Sequence, residues 1–187
     1  MNYRIQDADI ELLRDAGVSE EDITHCAKVA GKALELAERM SVYLDSEMSV
    51  RGALFHDLGK AKTHEIEHGR IGAELGKKLG LPEKITGIME EHIRGGLTED
   101  EARELGLPVK DYSLKGLEEK IAIYADRLVD MITEGLVPLE SESTAETDFE
   151  EILMIYPWYG KNEPTLNRYT GCHEEIQNLI RNASSAE

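Results

Sequence analysis

Apolar side chains recur at steps of three and four along most of this chain, and no alternation of β-branched residues survives more than a few positions. Steps of three and four keep residues on one face of a helix, whereas a half-buried strand needs a step of two. Ile23, Ala27, Ala30, Leu34, Ala37 and Met40 mark a long amphipathic helix. Ser19-Glu20-Glu21-Asp22 opens it as a capping box with Asp in place of Glu or Gln. Ser49 is suited to cap a second helix, with Val50, Ala53, Leu54 and Leu58 inward, until Gly59 loosens it. A third helix over 68–79 turns Ile71, Leu75 and Leu79 inward and stops at Gly80. Pro82 suits the first turn of a fourth, which carries Ile85, Ile88, Met89 and Ile93 as far as Gly95-Gly96. Thr98 to Glu101 starts a short helix that ends at Gly106-Leu107-Pro108, and Leu117, Ile121, Tyr124, Ala125, Leu128 and Ile132 line another over 113–133. The expected fold class is all-α.

Residues 134–147 break this rhythm and read as an exposed acidic loop. A last pair of helices is expected after it, interrupted around Pro157-Trp158-Tyr159-Gly160 and ending with Glu174 to Arg181, with a frayed tail from Asn182. The expected organisation is a core over 1–133, the loop over 134–147, and C-terminal helices over 148–187 packing on the core. A chain of 187 residues buries roughly 70% of its extended surface on folding, so one core suffices without a disulfide or structural metal.

Charge limits the partners. With 38 Asp+Glu against 21 Lys+Arg the formal net charge is −17, which argues against a nucleic-acid polymer or an anionic membrane, since both reward clustered cations. A small anionic substrate senses only its pocket and is not excluded. No apolar run approaches 18 residues, no basic–apolar export signal begins at Met1, and Cys26 and Cys172 make no disulfide framework. A cytoplasmic protein that spans no membrane is expected. Both cysteines read as small packing residues, because neither has a second Cys or His at zinc-finger spacing.

The six histidines carry the functional signal. His25, His56, His64, His68 and His92 all precede residue 93, each on or beside an expected helix, and Asp57 follows His56 directly. Helices are rigid, so side chains from several of them can converge on a metal inside a bundle. His56 and Asp57 diverge by about 100° on a helix, yet both can reach one centre if they lie near its last turn. Asp126 is embedded in an apolar face and needs a partner there. On the residues alone that partner is a neighbour such as Arg127 or Lys120, or a cation bound from outside. A single histidine or a lone His-Asp pair is weak evidence; the joint pattern is not.

The order His25, His56-Asp57, His68, His92, Asp126 resembles the H…HD…H…H…D signature of the HD-domain metal-dependent phosphohydrolase superfamily. Phe55-His56-Asp57-Leu58-Gly59-Lys60 is similar to the family's HDIGK segment, His68-Gly69-Arg70-Ile71-Gly72-Ala73-Glu74 to its HGxxGA segment, and Glu118 to Asp126 to its EKIvyaAD segment. His92-Ile93-Arg94-Gly95-Gly96-Leu97-Thr98 and the later Leu105-Gly106-Leu107-Pro108 most resemble an archaeal HDIG-domain family. The resemblance spans about Ile23 to Val129 and implies an HD-domain helical bundle with a metal site in its interior.

By that resemblance His25, His56, Asp57 and Asp126 would hold one divalent metal, and His68 and His92 a second, with Asp57 bridging. Two ions about 3.5–4 Å apart suit hydrolysis of a phosphate ester or anhydride. A nitrogen-rich site favours Fe, Mn, Co or Ni over Mg. Asp57 and Lys60 are the catalytic candidates. Lys60, His64 and Arg94 are assigned to a small phosphorylated substrate, a nucleotide or similar molecule. His64 lies four residues before His68 but reads as substrate-side rather than a ligand, and Arg127, a weaker candidate than Lys60 for holding a substrate phosphate, reads rather as pointing outward.

The six-ligand pattern is similar to that of bacterial symmetrical dinucleoside tetraphosphate hydrolases, and it departs from the HD-GYP enzymes in lacking a Gly-Tyr-Pro motif and an adjacent His-His pair. Two other functions fit the same residues: a di-iron oxygenase of the HD fold, and a non-catalytic sensor or scaffold. The second ranks last because all six ligands are present.

Overall fold

The computed structural model describes residues 4–185. Its helices run α1 (Asp7–Ala16), α2 (Glu20–Glu38), α3 (Ser46–Phe55), α4 (His68–Lys78), α5 (Glu83–Glu91), α6 (Glu99–Glu104), α7 (Leu117–Thr133), α8 (Glu142–Thr147), α9 (Phe149–Ile155), α10 (Pro157–Gly160) and α11 (Glu163–Ser184). Two 3-10 turns, Leu58–Ala61 and Ile93–Gly95, interrupt them, and no strand occurs among the described residues.

The core lies where α2, α3 and α7 pack on one another, with α5 against α3 and α4 against α5. On α2 the inward face is Ile23, Cys26, Val29, Ala30, Ala33, Leu36 and Ala37, and its alanines leave room for close neighbours. Fully burying a Val, Leu or Ile side chain contributes about 1.5–3 kcal/mol, so such faces far outweigh the intrinsic propensity of any one helix. Ser19 caps α2 by accepting the Asp22 N–H at 3.1 Å. Thr98 and Glu101 form a reciprocal capping box on α6. α7 is buried almost all round, because α11 and α8 cover the side that α2 and α3 leave free. Cys26 and Cys172 are buried free thiols.

Several elements differ from expectation, each for a local reason. α1 was not expected; it packs on α2 through Leu13. The cap of α3 is Asp45, whose carboxylate accepts the Met48 N–H and whose carbonyl accepts the Ser49 N–H, so Ser49 is buried inside the helix. α3 ends at Phe55, before Gly59. α5 stops at Glu91, leaving Ile93 in the second 3-10 turn. α7 begins at Leu117 rather than 113, where the Glu119 carboxylate accepts the Gly116 N–H. Within the expected loop over 134–147 the second half is α8, held by buried Ala145 and by Glu146 bonding Arg39 and Gln177. α11 is one 22-residue helix that continues through Asn182 to Ser184; the end of the expected frayed tail, 186–187, lies outside the described residues.

Gly59 shows how tightly the first 3-10 turn lies on α4. A Cβ there would stand 1.9 Å from the His68 carbonyl oxygen, a backbone atom that cannot swing aside. Lys60 and His68 are thereby held in fixed relation.

Candidate metal centre

Four histidines and two aspartates meet at one end of the α2–α3–α7 core. His25 comes from the second turn of α2, His56 ends α3, Asp57 begins the first 3-10 turn, His68 begins α4, His92 ends α5, and Asp126 lies midway along α7. The imidazoles form a continuous row, with ring centroids 5.5 Å apart for His25–His56, 5.2 Å for His56–His92 and 4.9 Å for His68–His92. His56, Asp57 and His92 are buried.

Asp57 divides the row in two. Its Oδ2 lies 3.1 Å from His56 Nε2 and 3.8 Å from His25 Nε2. Its Oδ1 lies 3.1 Å from His68 Nε2 and 3.7 Å from His92 Nε2. Asp126 Oδ1 joins the first half, 3.0 Å from His25 Nε2 and 3.3 Å from His56 Nε2.

The tautomers follow from the backbone. Nδ1 of His56, His68 and His92 lies 2.7, 2.8 and 2.7 Å from the carbonyls of Ala53, Glu65 and Met89 respectively. A carbonyl only accepts, so each Nδ1 carries a proton and each Nε2 is turned inward, where it offers a lone pair whenever the ring is neutral. His68 Nε2 and His92 Nε2 face each other at 3.0 Å. Ring nitrogens and carboxylates therefore converge with few donors among them, a set that calls for positive charge, which a proton on His56 meets in part and a metal cation would meet in full. Among the described residues, Lys60 is the one Lys or Arg in ion-pair range of Asp57, with Nζ 2.6 Å from Oδ2. The donors fit divalent metal in two groups, His25–His56–Asp57 and Asp57–His68–His92, each with ligand atoms within 4.8 Å of one another.

The electrostatics express the same demand. Burial opposes charge on His56, yet Asp57 and Asp126 together raise its pKa well above 6.5. Burial also opposes charge on Asp57, but His56 and its neighbours hold that carboxyl well below the usual range. His92 is pulled down to about 3, first by burial and then by His68 and His56. Burial lowers the Lys60 pKa but the Asp57 charge more than offsets it, so Lys60 stays an ammonium.

The cluster opens into a cleft of about 290 Å³ whose walls include Lys60, His64 and Arg94. His64 is 67% exposed and lies 3.3 Å from Asp22 Oδ2, outside the groups that could hold metal. Arg94 sits in the second 3-10 turn. The neighbour pairings considered for Asp126 do not form, since Lys120 bonds Glu175 and Arg127 bonds Asp130. Arg127 does not point outward: it lies half-buried on the cleft wall, bonding Asp130 at 2.9 Å and the Tyr169 hydroxyl at 3.0 Å.

Asp130 was missed by the sequence reading. It lies one turn beyond Asp126 on the same face, with Oδ1 3.9 Å from His25 Nδ1, and forms a third acidic group with His25 and Asp126. Burial, and then the Asp126 charge, push it up to about 7. The i, i+4 spacing of the two aspartates was the available signal. His173 stays apart from the cluster, bonded to the Tyr124 hydroxyl and stacked on Phe149.

Comparison with known proteins agrees with this architecture. Residues 22–131 match the family model described as HD domain. An uncharacterised protein of Methanocaldococcus jannaschii is 40% identical over 166 residues, which cover 87% of this chain and 92% of that one. The tRNA (cytidine(56)-2'-O)-methyltransferase of Picrophilus torridus is 38% identical over 126 residues, 67% of this chain but 36% of the methyltransferase, so the chain spans about a third of that relative. Among solved structures, the HD domain of the L. monocytogenes phosphodiesterase PgpH in complex with cyclic-di-AMP superposes with a TM-score of 0.56, covering 99% of this chain and 100% of that one. Identity there is 15%, so that likeness is one of fold.

Proposed function

This chain belongs to the HD-domain family, and on that premise we propose that it is a metal-dependent phosphohydrolase with a dinuclear site, acting on a phosphate ester or anhydride of a nucleotide or similar small molecule. One observation carries the reading: the two oxygens of Asp57 face two separate histidine pairs, the arrangement a bridging carboxylate needs. His25, His56 and Asp126 would complete one position and His68 and His92 the other. Divalent ions bound there would supply Lewis acidity to the phosphoryl oxygens and acidify the attacking water.

The chain's own residues do the rest. The backbone carbonyls behind His56, His68 and His92 fix the tautomer that turns each Nε2 inward. Lys60 keeps its charge and, among the described residues, is tethered by ion pairs to Asp57 and, at 3.9 Å, to Asp22, so its ammonium can turn to a phosphoryl oxygen once Asp57 is engaged elsewhere. His64 at the mouth and Arg94 on the wall are the further substrate contacts. The phosphodiesterase of similar fold, solved with a cyclic dinucleotide, supports phosphodiesters as substrates to test, though it lends only its fold. The methyltransferase activity of one relative is not carried over, because the shared segment is about a third of that protein.

The test is phosphate release from nucleoside mono- and polyphosphates and cyclic dinucleotides with Mn²⁺, Fe²⁺, Co²⁺ and Ni²⁺ added separately. Turnover with redox-inert Mn²⁺ is expected. Substrate-dependent O₂ uptake by an iron-loaded protein that releases no phosphate would replace this reading with an oxygenase.

A further inference from the structure

The cleft has a second side that the metal cluster does not use. Arg94, Arg127 and Lys161 line it, contributed by the turn after α5, by α7 and by the turn after α10. In a chain with 38 carboxylates and 21 Lys+Arg, cations find partners readily, yet among the described residues neither Arg94 nor Lys161 makes any side-chain hydrogen bond or ion pair. Arg127 spends its terminal nitrogens on Asp130 and Tyr169, but its Nε is buried with no partner at all. An unpaired buried donor is costly unless something arrives to fill it.

The backbone tells the same story independently. Only two non-glycine residues among those described have positive φ, and they are Arg94 (φ 52°, ψ 29°) and Lys161 (φ 60°, ψ −74°). At Lys161 the Asn162 N–H closes on the Gly160 carbonyl at 2.7 Å, a three-residue turn of the strained hand. The Arg94 turn is clamped from α11, where Arg168 donates to the Arg94 carbonyl at 3.1 Å while gripping Glu101 with two bonds of 2.9 Å. Strain of this kind survives only where surrounding structure enforces it, and it gathers at ligand sites. Here both instances aim a cation at the same cleft. Burial, and then the nearness of Arg127 and Arg94, lower the Lys161 pKa more than Asp130 and Glu134 raise it, a repulsion that an anion between the cations would relieve.

The geometry points to an anion subsite formed by Arg94, Arg127 and Lys161, which receives a second phosphate of the substrate while the scissile one lies at the His/Asp cluster. The substrate class is then a molecule carrying at least two phosphates, such as a nucleoside polyphosphate or a dinucleotide, rather than a simple monoester. This deepens the phosphohydrolase reading and rests on it for the role of the other phosphate.

Two calorimetric titrations test it, using the parent, Arg94→Gly and Lys161→Gly. Glycine removes the cation and relaxes the positive φ, so both variants keep the fold. First, chelator-treated protein is titrated with inorganic phosphate: the parent should bind it saturably, and each variant at least about fivefold more weakly. Second, Mn²⁺-loaded protein is titrated with AMP and with α,β-methylene-ADP. The parent should prefer the two-phosphate analogue by about tenfold, equivalent to about 1.4 kcal/mol, and each variant should lose most of that preference. Absence of phosphate binding without metal, absence of the preference, or either variant behaving as the parent would overturn the subsite. Neither titration involves turnover, so a chain that binds as expected yet hydrolyses nothing keeps the subsite and loses the hydrolase reading.

Discussion

At the scale of single residues, Asp57 does what no neighbour can replace. Among the described residues it is the one carboxylate whose two oxygens face different histidine pairs, and it is buried and held ionised by the charge around it. Asp57→Ala should therefore cost both metals, while His92→Ala should keep one and lose the other. Metal analysis after purification without chelator reads this as two, none and one ion per chain. An unchanged stoichiometry in His92→Ala would refute the dinuclear assignment. Removing even a group behind a metal ligand typically costs about 10–100-fold in affinity or activity, so losing Asp57 should cost phosphate release more than that.

At the scale of elements, two joints set the geometry. The first 3-10 turn lies directly on α4 at Gly59, where a methyl group would meet the His68 carbonyl at 1.9 Å. Gly59→Ala must push the two elements apart, so we expect a loss of about 1–3 kcal/mol or more in denaturant unfolding, together with weakened metal at the His68–His92 position. The other joint ties α7 to α11, where the Tyr124 hydroxyl accepts from Gln177 at 3.3 Å and lies 2.8 Å from His173 Nδ1, to which it donates when that nitrogen is unprotonated. Burial holds His173 below its usual 6.5, against the pull of Glu150 and Glu146. The unfolded chain thus takes up the proton first: this joint's stability is full above pH about 6.5 and falls as the pH drops through the folded value. Unfolding midpoints between pH 7.5 and 5 should decline less in His173→Gln, whose amide oxygen accepts the tyrosine proton at any pH. The difference should be near one hydrogen bond, about 1 kcal/mol.

These joints also explain what the sequence could and could not reveal. The apolar spacing in α2, α5 and α7 was legible because each carries a continuous apolar face, and the His/Asp pattern stood out because His25 and Asp126 lie within α2 and α7 while His56, Asp57, His68 and His92 lie at the ends of α3, α4 and α5 or in the turn between them. Arg127 misled because one apolar stripe implies an outward side, whereas α11, distant in sequence, covers that side with Tyr169. Lys161 carried no local signal at all. It lies 34 residues beyond Arg127 in sequence, and only the turn after α10 brings it to the cleft. α8 was hidden for a similar reason, since its order depends on Arg39 and Gln177 rather than on its own composition.

At the scale of the whole molecule, the net charge of −17 and the local chemistry of the cleft pull in opposite directions. The acidic surface repels polyanions at long range, and no helix among the described residues is long and apolar enough to cross a membrane. On the cluster side of the cleft, Asp57 and Asp126 lie among four imidazoles with Lys60 as the Lys in ion-pair range of Asp57, so that side of the folded state offers a ready set of metal donors, while Arg94, Arg127 and Lys161 gather on the other side. Two divalent ions would supply four charges there and bind only the folded chain. At free ion 100 times the dissociation constant, each site adds about 2.7 kcal/mol to stability, and in a domain of this size each kcal/mol raises the melting temperature by about 2–4 °C. Loading both sites should therefore raise the midpoint by about 10–20 °C over chelator-treated protein. General screening of a −17 surface would also stabilise it, and the two effects separate cleanly. Sodium chloride at matched ionic strength acts on the whole surface and should give only a small rise, equal in the parent and in Asp57→Ala. The large rise should require Mn²⁺ or a similar ion and vanish in Asp57→Ala. Equal shifts from the two salts would mean that the cluster of histidines and aspartates holds no metal.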